Sequence, residues 1–344
     1  MHKFIKFSGK GKRIILYYHK KARFVVFYFK RTIKTCFFKK FIVNFIYHFT
    51  EEAMLDFIVN PSAGGKDGKK IKKALPKLEK RLVERKVDYV IHMTKTPHHA
   101  TELTDGLIKN GATDIIVVGG DGTLHEVING FSSFDKVSMG IIPCGTGNDF
   151  ASALNLPLDP VEALDLIIDG TPKYTDFMQM PGVRGLNIIG FGIDVEVLKR
   201  YAALKRKTKF GYTKCLIKTL FNFEYSDFNA EFNGKTEKYR SFIACVANGT
   251  RYGGGIPICP VANPTDKKLD FVAVREMKRL KIISAFLKLK KGRIMELNEV
   301  VHDLTDEIKI TPDKPVTVNV DGELYDGIPF DVKIVSDTLR VYRP

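Results

Sequence analysis

Along the chain the spacing of apolar positions changes character near residue 176. Before it, short apolar runs alternate with stretches of helical periodicity. Leu55 to Val59, Val87 to Met93, Asp114 to Val118 and Met139 to Ile142 read as strands. Between them, 67–86 carries Ile71, Leu75, Leu78 and Leu82 at three-and-four spacing, and 97–110 and a segment opening at Leu124 also read as helices. Such alternation predicts a parallel sheet covered on both faces, with ligands bound at the carboxyl ends of its strands.

After residue 176 short strands dominate. Leu186 to Ile189, Asn229 to Phe232, Ser241 to Ala247, Leu269 to Val274, Glu307 to Ile310, Val316 to Val320 and Thr338 to Tyr342 fit that description, with helices near 193–204, 211–221 and 279–291. Gly, Pro and Asn turns between them predict a second domain that is mainly β and sandwich-like.

Composition adds one correction to this picture. The chain has 344 residues, 44% of them hydrophobic and 27% charged, enough to bury a core and to form two domains. Its formal net charge is +16, but residues 1–50 hold ten Lys and three Arg with no Asp or Glu. The remainder is nearly neutral, which removes the usual argument for a nucleic-acid partner. Residues 1–53 combine these cations with fourteen Phe and Tyr, and Ile33, Phe37, Phe41, Phe45 and Phe49 recur at helical spacing. One reading is a basic amphipathic membrane arm; the other is a translated upstream segment, with Met54 as the natural start.

Five cysteines, Cys36, Cys144, Cys215, Cys245 and Cys259, form no CxxC pair and have no His at ligand spacing. This pattern argues for reduced thiols in the cytoplasm and against disulfides or a zinc site. Apolar runs such as Phe24 to Phe29 are far too short to span a bilayer, so membrane contact is expected to be peripheral.

Three glycine-bearing loops follow predicted strands. Gly119-Gly120-Asp121-Gly122-Thr123 separates an apolar strand from a helix, where glycines admit close backbone approach and a helix N-terminus offers unpaired N–H groups to an anion. A carboxylate at Asp121 beside a phosphate implies Mg²⁺ between them. A tight turn with an Asp cap is the alternative. Asn60-Pro61-Ser62-Ala63-Gly64-Gly65 and Pro143-Cys144-Gly145-Thr146-Gly147-Asn148-Asp149-Phe150-Ala151 occupy equivalent places after other strands.

In this order and spacing the loops resemble the signatures of the diacylglycerol kinase catalytic-domain superfamily, which includes soluble bacterial lipid kinases and is related to sphingosine and ceramide kinases. The likeness continues through Asp176, Asn248, Tyr252 to Gly255, Pro260, Ala262 and Asp266 into Val320-Asp321-Gly322-Glu323. It implies an α/β nucleotide-binding domain over 54–175 and a β-rich lipid-substrate domain over 176–329. The tail, 330–344, would pack back on the first domain, with the active site in the cleft between the two.

The resemblance further implies that ATP is held by Asn60, Pro61, Ser62, Ala63, Gly64, Thr94, Gly119, Gly120, Asp121, Gly122, Thr123, Leu124, His125 and Thr146. An acidic network of Asp121, Asp149 and Asp176 would surround the nucleotide's Mg²⁺, and Glu323 would be the general base. Asn263, Asp266 and the Lys268 carbonyl would hold a structural Mg²⁺. Two departures stand out: Lys267 replaces the usual Gly in that last loop, and His125 replaces the usual Asn. A non-Gly residue with positive φ is strained, so the loop around Lys267 is expected to differ.

The expected activity is therefore ATP- and Mg²⁺-dependent phosphorylation of diacylglycerol or a similar lipid to phosphatidic acid, in phospholipid metabolism, at the inner face of the cell membrane. A sphingoid-type lipid kinase, an NAD kinase and a noncatalytic sensor are the rivals, and a homodimer is left open. The basic run Lys199, Arg200, Lys205, Arg206, Lys207, Lys209, Lys214 and Lys218 is either a lipid-docking face or a solvated one. His98 and His99 read as helix caps and Cys144 as a spacer rather than a nucleophile.

Overall fold

In the computed structural model the described residues are 2–9, 12–19, 25–28, 54–65, 68–204, 209–220 and 223–344. The chain divides into two units, Met1–Glu52 and Ala53–Pro344. In the first, β1 (His2–Gly9), β2 (Lys12–His19) and β3 (Val25–Tyr28) form an antiparallel sheet. The amphipathic helix expected over 33–49 lies outside the described residues, as do Lys205, Arg206 and Lys207 of the basic run.

The second unit opens with β4 (Leu55–Val59), α1 (Lys69–Arg85), β5 (Tyr89–Met93), α2 (His99–Lys109), β6 (Asp114–Gly119), α3 (Asp121–Gly130) and β7 (Ser138–Pro143). β4 pairs in parallel with β5 and β6, and β6 with β7. β4, β6 and β7 are buried along their whole lengths, as expected of parallel strands covered on both faces. On one face Ile58, Ile115, Val117 and Ile141 pack with Leu124, Val127 and Ile128 of α3. On the other, Phe57, Val59 and Ile116 meet Ile71, Ala74, Leu78 and Leu82, the apolar stripe of α1.

Two short helices follow, α4 (Asp149–Ala153) and α5 (Pro160–Asp169), the second capped by Asp159 through the N–H groups of Val161 and Glu162. The bidentate pair from Arg81 to Asp165, at 2.8 and 3.0 Å, ties α5 to α1.

The β-rich part comprises β8 (Pro172–Met180), β9 (Val183–Gly185), β10 (Ile188–Gly192), β11 (Ser226–Phe232), β12 (Lys235–Ala247), β13 (Leu269–Arg275), β14 (Val300–Thr305), β15 (Glu307–Pro312), β16 (Thr317–Val320), β17 (Glu323–Asp326) and β18 (Phe330–Tyr342). Phe191, Phe228, Tyr239, Phe271, Val318 and Phe330 fill its interior. The helices α6 (Ile193–Ala202), α7 (Lys209–Leu220) and α8 (Arg279–Lys290) belong to a third apolar layer, over β10, β12 and β13.

β18 joins the two halves. One of its edges pairs with β8, while the other pairs antiparallel with β15 at Phe330 to Lys333 and parallel with β7 at Arg340 and Val341. A register shift between Val335 and Leu339 lets the strand turn from one sheet environment to the next. Parallel and antiparallel portions thus share one continuous sheet. The expected α/β and β-rich architecture holds, but β8, β14, β17, α5 and the first half of β18 were not among the elements read from the sequence.

Candidate functional site

The three glycine-bearing loops lie side by side because their strands are neighbours in one parallel sheet, in the order β7, β6, β4. They interlock through backbone. A Cβ on Gly64 would stand 2.2 Å from the Cys144 carbonyl oxygen, and one on Gly145 would stand 2.4 Å from the Gly120 Cα. Only glycine permits these approaches. Asn60 Nδ2 donates to Thr123 Oγ1 at 3.0 Å, fastening the first loop to the second, and Lys70 Nζ donates to the Gly145 carbonyl at 2.6 Å. Asn60 Oδ1 also accepts from Ser62 N, which shapes the turn through Pro61 and Ala63. Thr94 closes the row by donating its N–H to Val59 O at the end of β5.

Asp121 opens α3 and Asp149 opens α4. Both carboxylates flank Gly147: their Oδ2 atoms lie 2.9 and 3.2 Å from where its Cβ would be. Asp121 Oδ1 accepts from Phe150 N at 3.3 Å, and Asp149 Oδ2 from Gly254 N at 2.9 Å, so the second domain reaches the loops here. Burial pushes the Asp121 carboxyl above the usual carboxylate range, opposed by backbone N–H groups of residues 148–150 and reinforced by the charge of Asp321. Thr146 is exposed on the third loop.

A second junction lies midway along α3, at His125. Asp321, held at φ 53°, accepts backbone N–H bonds from Leu186 (2.6 Å), Asn187 (2.8 Å) and Ile188 (3.0 Å). Its Oδ2 lies 3.6 Å from His125 Nδ1, and His125 Nε2 is hydrogen-bonded to Tyr325 Oη at 2.8 Å. The turn between β16 and β17 is therefore fixed at its base while Glu323, the first residue of β17, remains exposed.

Three residues assigned to the nucleotide from sequence behave differently. The Leu124 side chain is in the core, and that of His125 is engaged by Tyr325 and Asp321. Asp176 does not face the loops: its Oδ2 accepts from Lys267 N at 2.8 Å, and its charged neighbours are Asp266 and Asp337. Strand β8 carries it to loop 263–268, so it groups with Asn263, Asp266 and Lys268 rather than with Asp121.

That loop keeps the left-handed turn despite Lys267, whose φ is 65°. Its ammonium pairs with Asp337 at 2.6 Å while its N–H serves Asp176. Within the loop, Asn263 Oδ1 accepts from Thr265 Oγ1 at 2.8 Å and Asp266 Oδ1 from Lys268 N at 3.0 Å. Cys144 is buried, which pushes its thiol up to about 11, consistent with a spacer. Lys70 and Tyr325 were not flagged by sequence reasoning, because neither stands in a motif that marks its partner.

The chain is similar to known proteins along both of its halves. The diacylglycerol kinase catalytic domain matches residues 54–180, and the YegS C-terminal NAD kinase beta sandwich-like domain matches 187–343. A Mycobacterium tuberculosis (strain H37Rv) protein named diacylglycerol kinase is 28% identical over 272 residues, covering 77% of this chain and 87% of its own. A Bacillus subtilis (strain 168) protein named "Putative lipid kinase YtlR" is 27% identical over 305 residues, 83% of this chain and 98% of its own. Among solved structures, one titled "putative diacylglycerol kinase" from Bacillus anthracis str. Sterne superposes with a TM-score of 0.69 at 28% identity, covering 86% of this chain and 98% of that one. The chain belongs to the diacylglycerol kinase catalytic-domain family, in the form that carries this β-rich second domain. It is a member of a lipid kinase family.

Proposed function

We propose that the protein transfers the γ-phosphoryl group of ATP to the hydroxyl of diacylglycerol or a closely similar lipid, giving phosphatidic acid. The observation that carries this reading is the placement of Glu323. Its carboxylate is exposed on a turn whose base is locked by Asp321 and whose next strand is tied through Tyr325 to α3, the helix that Asp121 opens.

A lipid hydroxyl is a weak nucleophile, and a positioned carboxylate overcomes this by taking its proton as the oxygen attacks phosphorus. Glu323 is that acceptor; the bond from the γ-phosphorus to the ADP oxygen breaks as the new one forms. Asn60 to Gly64, Gly119 to Thr123 and Thr146 hold the nucleotide, chiefly through backbone N–H groups that glycine leaves accessible. The site suits a divalent cation, because the carboxylates of Asp121 and Asp149 converge on Gly147 beside the glycine-bearing loops, where their like charges and those of a phosphate need a cation among them. Asp121 and Asp149 would hold Mg²⁺ there, which when bound offsets charge on the phosphate oxygens.

The acceptor lies in a membrane, so the enzyme acts at a membrane surface. No helix among the described residues is long and apolar enough to cross one. On α8, Ile283 and Leu287 are 49% and 55% exposed one turn apart, followed by Lys288, Lys290 and Lys291, a pairing suited to an anionic lipid surface.

The test is transfer of labelled γ-phosphate from ATP, with Mg²⁺, to diacylglycerol in vesicles containing anionic lipid, with the product identified by mass spectrometry. Labelled phosphatidic acid is expected. Label appearing in a dinucleotide or sphingoid base, and not in diacylglycerol, would overturn the reading.

A further inference from the structure

Cys259, Asp270 and His302 meet in the second domain, outside every residue given a role above. Val272 pairs with His302 across β13 and β14, and Asp270 shares the face of Val272, two residues away on the same strand. Cys259 reaches that face from the segment preceding β13. One potential ligand atom from each residue, a sulfur, a nitrogen and an oxygen, lies within 4.8 Å of the other two. Among the described residues this is the one such trio of His, Cys and acidic side chains.

The surroundings make the trio unusual. Cys259 and Asp270 are 0% and 2% exposed, in an apolar layer that includes Ile258, Ala262, Val272 and Ile294. Asp270 Oδ1 has His302 Nε2 at 2.6 Å, and His302 is 32% exposed at the rim. Burying a carboxylate in an apolar layer, with a neutral thiol and a partly solvated imidazole as its side-chain partners, is costly unless a further positive charge compensates it.

We propose that Cys259, Asp270 and His302 form a Zn²⁺ site. A thiolate, an imidazole and a carboxylate are together the donor set of a borderline-soft ion; Mg²⁺ and Ca²⁺ prefer oxygen alone. Three protein ligands leave a fourth position for water, and the rim location of His302 supplies an entry path. Ligand bonds of about 2.0–2.3 Å require donor atoms about 3.3–3.7 Å apart in a tetrahedron. His302 and Asp270, 2.6 Å apart, must part by about 1 Å to reach that spacing, a small rotamer adjustment. The bound ion would clamp segment 250–262 to β13 and β14. Gly254 in that segment donates to Asp149, so zinc would brace the second-domain side of the loops.

This proposal is independent of the lipid reaction, and its test requires no activity. Full-length protein stripped with chelator is titrated with Co²⁺ and then Zn²⁺. One equivalent of Co²⁺ is expected to give a thiolate-to-cobalt charge-transfer band, which Zn²⁺ abolishes, and Zn²⁺ should raise the melting temperature. In Cys259→Ser the band should vanish. His302→Ala, at the rim where folding is least exposed to risk, should weaken Co²⁺ affinity about 10–100-fold and lose the Zn²⁺-dependent rise in melting temperature. Absence of the band in the parent protein, or unchanged affinity in a folded His302→Ala, would overturn the site. So would displacement of Co²⁺ by an equal concentration of Mg²⁺.

Discussion

His125 and Tyr325, 200 positions apart in the chain, share a hydrogen bond of 2.8 Å that ties the helix behind the Gly-Gly-Asp-Gly loop to the strand that begins with Glu323. With Asp321 at 3.6 Å from the other ring nitrogen, the imidazole is held between the two halves of the proposed active site. The histidine that departs from the Asn expected from sequence is thus accommodated by its hydrogen bond to Tyr325.

Tyr325→Phe removes only the hydroxyl of this link. Stability should fall by about 0.5–1.5 kcal/mol, the net worth of one such bond. If the link positions Glu323, kcat should drop about tenfold with KM for ATP unchanged, which steady-state kinetics would separate from a general loss of fold.

Glu323→Gln keeps size and hydrogen-bonding capacity but removes the proton acceptor. Phosphoryl transfer should fall by about 10²–10⁴ while the ATP-induced rise in melting temperature persists. Activity within a few-fold of the parent would remove Glu323 as the base.

Asp121→Asn tests the buried carboxylate through pH. Burial raises its pKa in the folded chain, so between the ordinary carboxyl range and that raised value the folded state holds a proton the unfolded state has released. Its contribution to stability therefore declines as pH rises through that window. The melting temperature of Asp121→Asn, relative to the parent and without nucleotide, should climb with pH and then level off, each kcal/mol being worth about 2–4 °C in chains of this size. Addition of ATP and Mg²⁺ should stabilise the parent and not the variant. A pH-independent difference would contradict the assignment.

Gly145→Ala and Gly122→Ala form a contrasting pair. A Cβ at 145 would stand 2.4 Å from the Gly120 Cα and 2.7 Å from Asn148 Oδ1, whereas one at 122 meets nothing within 4 Å. Urea denaturation should give a loss of about 1–3 kcal/mol for the first and a change of no more than about 1 kcal/mol, in the stabilising direction, for the second.

What could be read from sequence follows the range of the signal. β4, β6 and β7 are fully buried parallel strands and therefore continuous apolar runs, and α1 shows one clean stripe. β8 escaped notice because its first residues are exposed and its last buried, so neither alternation nor an unbroken run marks it. Two Asp residues interrupt β18, Asp331 and Asp337, the latter where its register shifts. The three loops were legible because glycine is required where backbones touch. Asp176 was misgrouped because a carboxylate's neighbours depend on which strand pairs with which, and β8 brings it to Lys267. The trio Cys259, Asp270 and His302 left no trace for the same reason: strand pairing, not spacing, assembles it. A pattern search that looks for closely spaced ligands argues against zinc in this chain.

The position of β18 also bears on how the chain is made. β7 has β18 as its neighbour on the side away from β6, and β8 gains its partner there too, so the α/β half cannot complete its sheet until residues 330–342 have left the ribosome. Domains ordinarily fold in order of synthesis. Here the first half must wait with an open strand edge while nearly 200 further residues are translated, from the end of β7 at Pro143 to Arg340 and Val341. Loss of the last dozen residues, a small deletion by length, would then leave the first-made domain aggregation-prone rather than merely shorten the second.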